Sequence, residues 1–329
     1  MRRRRFLGLA GGGAAALVGG VAVDNVMLGY GTVSGTNLTE QDLAAKANER
    51  LGPVEGRTLQ LDGTTVGIHD DRLDVSDDSL SWAADADEIE QVEQDQGIES
   101  GTLAGLVADI PTLWAEDHVV EPVKAETFFD RAAASETRPE TVEALRGPRI
   151  RDVSPKVVEA FADVDPADPR EMAYGFVDAF REHTFYDAPR YVAGAIEDNV
   201  LRKTVELREP FDQPTDFETL LEGENAGFFC YDFVYRSLEA FHAVPAAEQT
   251  IPVVGAYVRD SRHKHAYTGL ATVTRENDGQ LTLLLTFLDY TPTTTAHSFG
   301  VTRLIGDDPN AYTDGHRTTD MFWNKPTYI

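Results

Sequence analysis

The sequence predicts an α+β chain, and three observations in its C-terminal half carry that expectation. From Cys230 to Phe241 apolar residues recur at helical spacing, with Phe233, Val234, Leu238 and Phe241 on one stripe. Ile251 to Tyr257 is an apolar, β-branched run that reads as a strand. His265 to Thr274 and Leu281 to Leu288 read as two more strands, joined by the hairpin turn Asn277-Asp278-Gly279. The expected architecture is a helix bearing Cys230 packed on an antiparallel sheet.

Upstream the elements follow from local signals. Thr39 or Asn37 caps a helical run from Glu40 to Arg50. Arg57 to His69 alternates and breaks at Asp62-Gly63, which predicts a short hairpin. The acidic run from Asp70 to Glu99 reads as a solvated loop holding a short helix around Asp85 to Gln94. A calcium site is the sharper reading of its aspartates, but their order is not that of an EF-hand loop. Thr102 to Leu145 is helical in pattern, with Leu103, Leu106, Ile110, Leu113 and Trp114 on one face. Pro155, Pro166 and Pro169 mark a boundary near 150–168. Asp168-Pro169 then opens a helix through Met172, Phe176, Val177 and Phe180 to His183. A long polar connection runs through Tyr186, Tyr191 and Phe211 to Leu221, followed by a turn from Glu222 to Gly227. No internal repeat and no nucleotide-binding glycine loop is present.

The first residues, MRRRRFLGLAGGGAAALVGGVAV, pair Arg3-Arg4 with Phe6-Leu7 and continue as a Gly/Ala-rich apolar stretch. This resembles a twin-arginine export signal. The alternative is a retained membrane anchor, since Phe6 to Val23 is near the lower length limit for spanning. The division expected is therefore 1–23 as signal or anchor, 24–160 as a mixed, mostly helical region with an acidic loop, and 161–329 as the Cys230 domain. Export implies an extracellular or cell-surface location and the twin-arginine machinery as a partner. Asp and Glu total 56 against 29 Lys and Arg, a formal net charge of -27. Such a field repels phosphate backbones and anionic lipids, which argues against nucleic-acid and peripheral membrane binding. An acid-rich, Lys-poor chain of this kind resembles halophilic proteins, whose self-repulsion molar salt screens.

One cysteine allows no internal disulfide, so Cys230 is a buried small hydrophobe, an intermolecular bridge or a reactive nucleophile. Its neighbours favour the last. Gly227-Phe228-Phe229-Cys230 leads straight into the helix, and unpaired amides at a helix start favour a thiolate. His265 begins one strand of the hairpin and Asp289 ends the other, so the two fall at the same end within side-chain reach. Nucleophile, base and orienting acid are the parts of a cysteine triad. His263, His265, Asp289 and His297 offer a metal-site alternative, because His-x-His on a strand points both rings one way. That alternative gives Cys230 no part. His242, at a helix end, reads as a partner of the helix dipole.

These residues resemble the transglutaminase-like superfamily of papain-like cysteine enzymes over about residues 168–295. The resemblance lies in Gly227…Cys230, the helix to Phe241, Val244-Pro245-Ala246, Val253 to Tyr257, His265-Ala266-Tyr267 and Asp289-Tyr290-Thr291. Arg181 to Asp187 is similar to the family's segment before the nucleophile. The chain departs from the pattern at Tyr267, where Trp is common, and at Phe228-Phe229, where small residues are frequent. The resemblance implies a papain/transglutaminase-like domain with Cys230, His265 and Asp289 as catalytic residues. It implies acyl transfer from a peptide or glutamine amide of a peptide or protein substrate, with no cofactor and no metal. A catalytically inactive binding or assembly module at the cell surface is the other outcome such a fold allows. Gln213, Asn225, Tyr186 and the Cys230 amide are the candidate oxyanion donors.

Overall fold

The computed structural model describes residues 43–50, 56–146, 153–187, 189–190, 193, 215–223, 225–260, 265–276, 278–298 and 318–323. The expected export segment 1–23 and the capping positions Asn37 and Thr39 lie outside them. The described chain is α+β, with largely antiparallel sheets.

Helix α1 (Ala44–Arg50) leads into β1 (Thr58–Leu61) and β2 (Thr64–Ile68). Asp62 and Gly63 both take positive φ, 50° and 84°, the geometry of a two-residue turn matched to strand twist. The next stretch corrects the sequence reading. Instead of a loop, Asp70 onward forms β3 (Arg72–Val75) and β4 (Asp78–Ser81), completing a meander in the order β1-β2-β3-β4. Leu73, Val75 and Leu80 are buried with Val66 and Ile68, while the alternate positions carry the Asp and Ser that hid the strand pattern. The region before residue 160 is therefore less helical than expected.

The acidic helix appears as α2 (Ala86–Gln96), capped by Asp85 accepting from Glu88 N at 2.9 Å. With α3 (Thr102–Trp114) it covers the meander, and Glu93 accepts the Leu103 amide at 2.7 Å where α3 begins. The helical pattern expected to Leu145 is broken by β5 (Val119–Pro122), followed by α4 (Ala125–Ala134), β6 (Glu136–Thr137) and α5 (Pro139–Leu145). Next come α6 (Pro155–Ala162), α7 (Pro169–His183), β7 (Thr184–Tyr186), α8 (Phe217–Leu221) and β8 (Ala226–Phe228). Asp168 caps α7 through Glu171 N, as its sequence suggests. Tyr191 and Phe211 lie outside the described residues.

Helix α9 (Cys230–Phe241) has the span its periodicity predicts. It lies beside β9 (Val254–Asp260), β10 (His265–Arg275) and β11 (Leu281–Leu288), which precede α10 (Tyr290–Ser298) and β12 (Asp320–Phe322). The main sheet runs β12-β9-β10-β11-β5, with β6 also on β10. Both faces are covered. Leu270, Leu284 and Leu288 pack with α4, α6, α7 and α9, while Val273, Leu283 and Phe287 pack with α1 and α5. Residues on both sides of the expected boundary near 160 thus share one sheet and its cores. The first strand starts three residues later than expected, because Val253 N donates to Gln249 Oε1 at 3.0 Å and its carbonyl accepts from Arg146.

Arg146 is buried and donates to Val253 O at 3.0 Å, Val244 O at 2.7 Å and Gln249 Oε1 at 2.5 Å. It holds the segment that returns the chain from α9 to β9. Replacing it leaves the Val253 and Val244 carbonyls without this donor, at about 1–3 kcal/mol each, and takes one of two donors from Gln249 Oε1. Arg146→Met is expected to lose about 3 kcal/mol or more of stability, read as a lower denaturant midpoint at unchanged slope.

Candidate active site

Phe229 is extended, with φ -107° and ψ 174°, so the helix starts at the next residue, Cys230. The Asp232 carboxylate reaches back to accept the Phe229 amide at 2.8 Å, one half of a capping box. The Asp232 and Phe233 amides bond to Phe229 O at 3.1 and 3.3 Å. Cys230 and its neighbour amides thus sit at the positive end of α9. Cys230 is half-buried, against the group formed by Tyr231, Tyr235, Tyr257, Ala266 and Phe322.

The approach to Cys230 is held from the side. β8 runs parallel to β7, with Phe185 opposite Gly227. A Cβ on Gly227 would lie 2.5 Å from Asp187 Oδ2 and 2.8 Å from Asp187 Cβ, so glycine is required there by space rather than by φ. The turn Glu222 to Gly227 expected from sequence is shorter than thought, because Ala226 already belongs to β8.

His265 opens β10 and Asp289 follows the last residue of β11. Thr268 pairs with Leu288, so Asp289 comes level with Tyr267 and diagonal to His265, a separation that long side chains span. The His265 Nε2 to Asp289 Oδ2 distance is 2.7 Å. Asp289 is buried, and its Oδ1 accepts the Thr291 amide at 3.0 Å, which fixes the carboxylate. The His265 ring stacks on Tyr267 with centroids 5.9 Å apart, and Cys230 lies near enough to favour its protonated form. Asp289 is thus bonded to His265, and Cys230 is brought near the same imidazole. Neither a family model, nor a curated protein, nor a solved structure matches the chain.

Burial opposes charge on His265, but the Asp289 carboxylate, aided by Cys230, outweighs it and pushes the imidazole up to about 10. Tyr257 is pushed upward first by burial and then by the negative charge of Cys230. Tyr235 moves the same way through burial, Asp232 and Cys230. Both phenols therefore stay protonated.

Other candidates fare differently. His242 is the C-terminal cap of α9, but its Nε2 accepts the Gly255 amide at 2.8 Å. It is a neutral acceptor joining helix to strand rather than a cation at the dipole. Tyr186 packs its ring 6.4 Å from Phe229, and Asn225 is exposed just before β8. Gln213, His263 and the His297 side chain lie outside the described residues. A groove of about 1030 Å³ between β1, α5 and residues 245–247 lies past the far end of α9 and includes none of the three residues. The sequence reading passed over Asp232 and Arg190. Asp232 carried a usable signal, an acid at the third position of a helix, whereas Arg190 had none.

A His whose folded pKa lies above its ordinary 6.5 contributes stability that is full below pH 6.5 and is lost as pH rises through about 10. The wild type is expected to exceed an Asp289→Asn variant most at the acid side of that window and to lose its advantage across it. Unfolding free energies measured at both ends check this, and an advantage that grows with pH contradicts it.

Proposed function

We propose that the chain is an exported cysteine-dependent acyl-transfer enzyme acting on peptide or glutamine amide bonds, with hydrolysis favoured over transfer to an amine. The observation that carries this reading is the convergence of Cys230, His265 and Asp289, with Cys230 at a helix start, His265 bonded to Asp289, and Cys230 near the imidazole. The order of the parts, a Cys helix, a strand, a His strand and an Asp ending the next, supports a papain/transglutaminase-like domain by its resemblance to that superfamily. The twin-arginine pattern supports action outside the cell, and the acidic composition supports a salt-rich medium.

In this reading the Cys230 thiolate attacks the amide carbonyl, and the new C–S bond forms as negative charge moves to the oxygen. The Cys230 backbone amide can meet that charge, as can the protonated hydroxyls of Tyr235 and Tyr257. Nε2 faces Asp289, which leaves Nδ1 to give its proton to the departing amine as the C–N bond breaks. The neutral imidazole then takes a proton from water, whose oxygen attacks the thioester and releases the carboxylic acid and the thiolate. Asp289 holds the ring in the tautomer and orientation both steps need. Water is the acceptor always present, and no amine site is evident among the described residues.

The assay is release of ammonia or new amino termini from a mixed peptide library at molar salt. Cys230→Ser is expected to fold but to lose acyl transfer, because a hydroxyl remains protonated where a thiolate is needed. His265→Ala should cost nearly as much, since the two act as a unit. Asp289→Asn should cost less, though still about a hundredfold or more. Turnover surviving Cys230→Ser moves the chemistry elsewhere. A wild type silent on every substrate favours the binding-module alternative.

A further inference from the structure

The Asp232 carboxylate that anchors the start of α9 creates a problem for the nucleophile two residues away. It is almost fully buried, and burial pushes it up to about 6 against the Phe229 amide, Arg190 and Arg236. A negative charge at that place opposes a thiolate on Cys230. Arg190 answers it from outside the helix. Its Nη1 lies 3.3 Å from Asp232 Oδ2, and its guanidinium covers the Phe229 ring at 4.7 Å and the Tyr231 ring at 5.9 Å. Its own backbone amide donates to Asp187 Oδ1 at 2.9 Å, and Asp187 is the residue wedged against Gly227. Asp187 and Arg190, joined by that hydrogen bond, therefore brace the backbone before Cys230 and deliver a cation to the acid after it.

We propose that Arg190 is a positioning residue for Cys230: it neutralises Asp232 in place, so the helix start stays anchored while the thiolate meets no uncompensated negative charge. The proposal rests on the acyl-transfer reading for its purpose, but its physical content is the ionisation of Cys230. The other groups around the two residues are His265 from β10, Asp289, Tyr257 from β9, and Tyr231, Tyr235 and Arg236 from α9. Arg236 is itself paired with Glu239 at 2.7 Å, which leaves Arg190, among the described residues, as the cation directly bonded to Asp232.

The test follows the pH profile of Cys230 alkylation by iodoacetamide in the full chain, with Cys230→Ser as the unlabelled control. Arg190→Gln is expected to move the profile up by about one pH unit, roughly a tenfold slower reaction near neutrality. Asp232→Asn alone should move it down, and Arg190→Gln/Asp232→Asn should bring it back near the wild type. Arg190→Lys, which keeps the charge but not the stacking, should recover most of the shift. Should Arg190→Gln fail to fold, the Asp232→Asn single and the double variant still decide the matter, because the charge effect requires their profiles to differ. A purely structural brace slows every variant without moving the profile, and that result overturns the proposal. Alkylation needs no turnover, so the outcome stands apart from whether any acyl substrate is found.

Discussion

Helix α9 lies on the β9–β10 hairpin at a depth set by Gly255. A Cβ there would come within 2.4 Å of Leu238 Cδ2 and 3.3 Å of His242 Nε2, so the bare backbone lets the helix settle onto the strand. The contact is then fastened by polar groups. His242 accepts the Gly255 amide at 2.8 Å, and the Ser237 and Thr268 hydroxyls meet at 2.6 Å. Buried hydroxyls and imidazoles without partners would cost more than they hold, so the helix has little freedom to slide. Because Cys230 begins that helix and His265 begins that strand, the same packing brings thiol and imidazole together.

Charge inside this protein behaves differently from charge on its surface. The chain carries a net -27, and many of the described carboxylates are exposed, where single ion pairs contribute little. Among the described residues, several buried charges are each held by more than one group. Asp289 has His265 and the Thr291 amide, Asp232 has Arg190 and the Phe229 amide, and Asp109 has Thr141 and Arg275. Such pairs add little net stability once desolvation is counted, but removing one partner is costly. Their effect is to allow one arrangement of these groups. The same surroundings explain why His265 keeps its proton and the phenols near Cys230 keep theirs.

The N-terminal half is structurally part of the site's support. β5 extends the main sheet beside β11, and β6 adds to β10, while Arg138 N donates to Val273 O at 3.1 Å. Phe128 and Phe129 of α4 fill the same core as Phe176 and Phe180 of α7. The meander joins through Asp109 of α3, which bonds Thr141 of α5 at 2.8 Å and Arg275 of β10. The sheet that carries His265 therefore depends on residues well before the boundary that proline spacing suggests.

What the sequence determined by itself was local. The span of α9, the cap of α7 by Asp168, the turn at Asp62-Gly63 and the two strands around Gly279 follow from periodicity and turn chemistry, which act between near neighbours. That His265 and Asp289 fall at the same end of one hairpin was legible too, but their diagonal offset came from the register the structure shows. The strands β3 and β4 were not, since Asp and Ser on their outer face gave the composition of a loop. Tertiary structure alone decided the parallel addition of β5 to β11, the covering of both sheet faces, and the clamp of Arg190 on Asp232, 42 residues apart. Those contacts depend on how the helices stack, and no short-range pattern encodes a partner that only packing brings near.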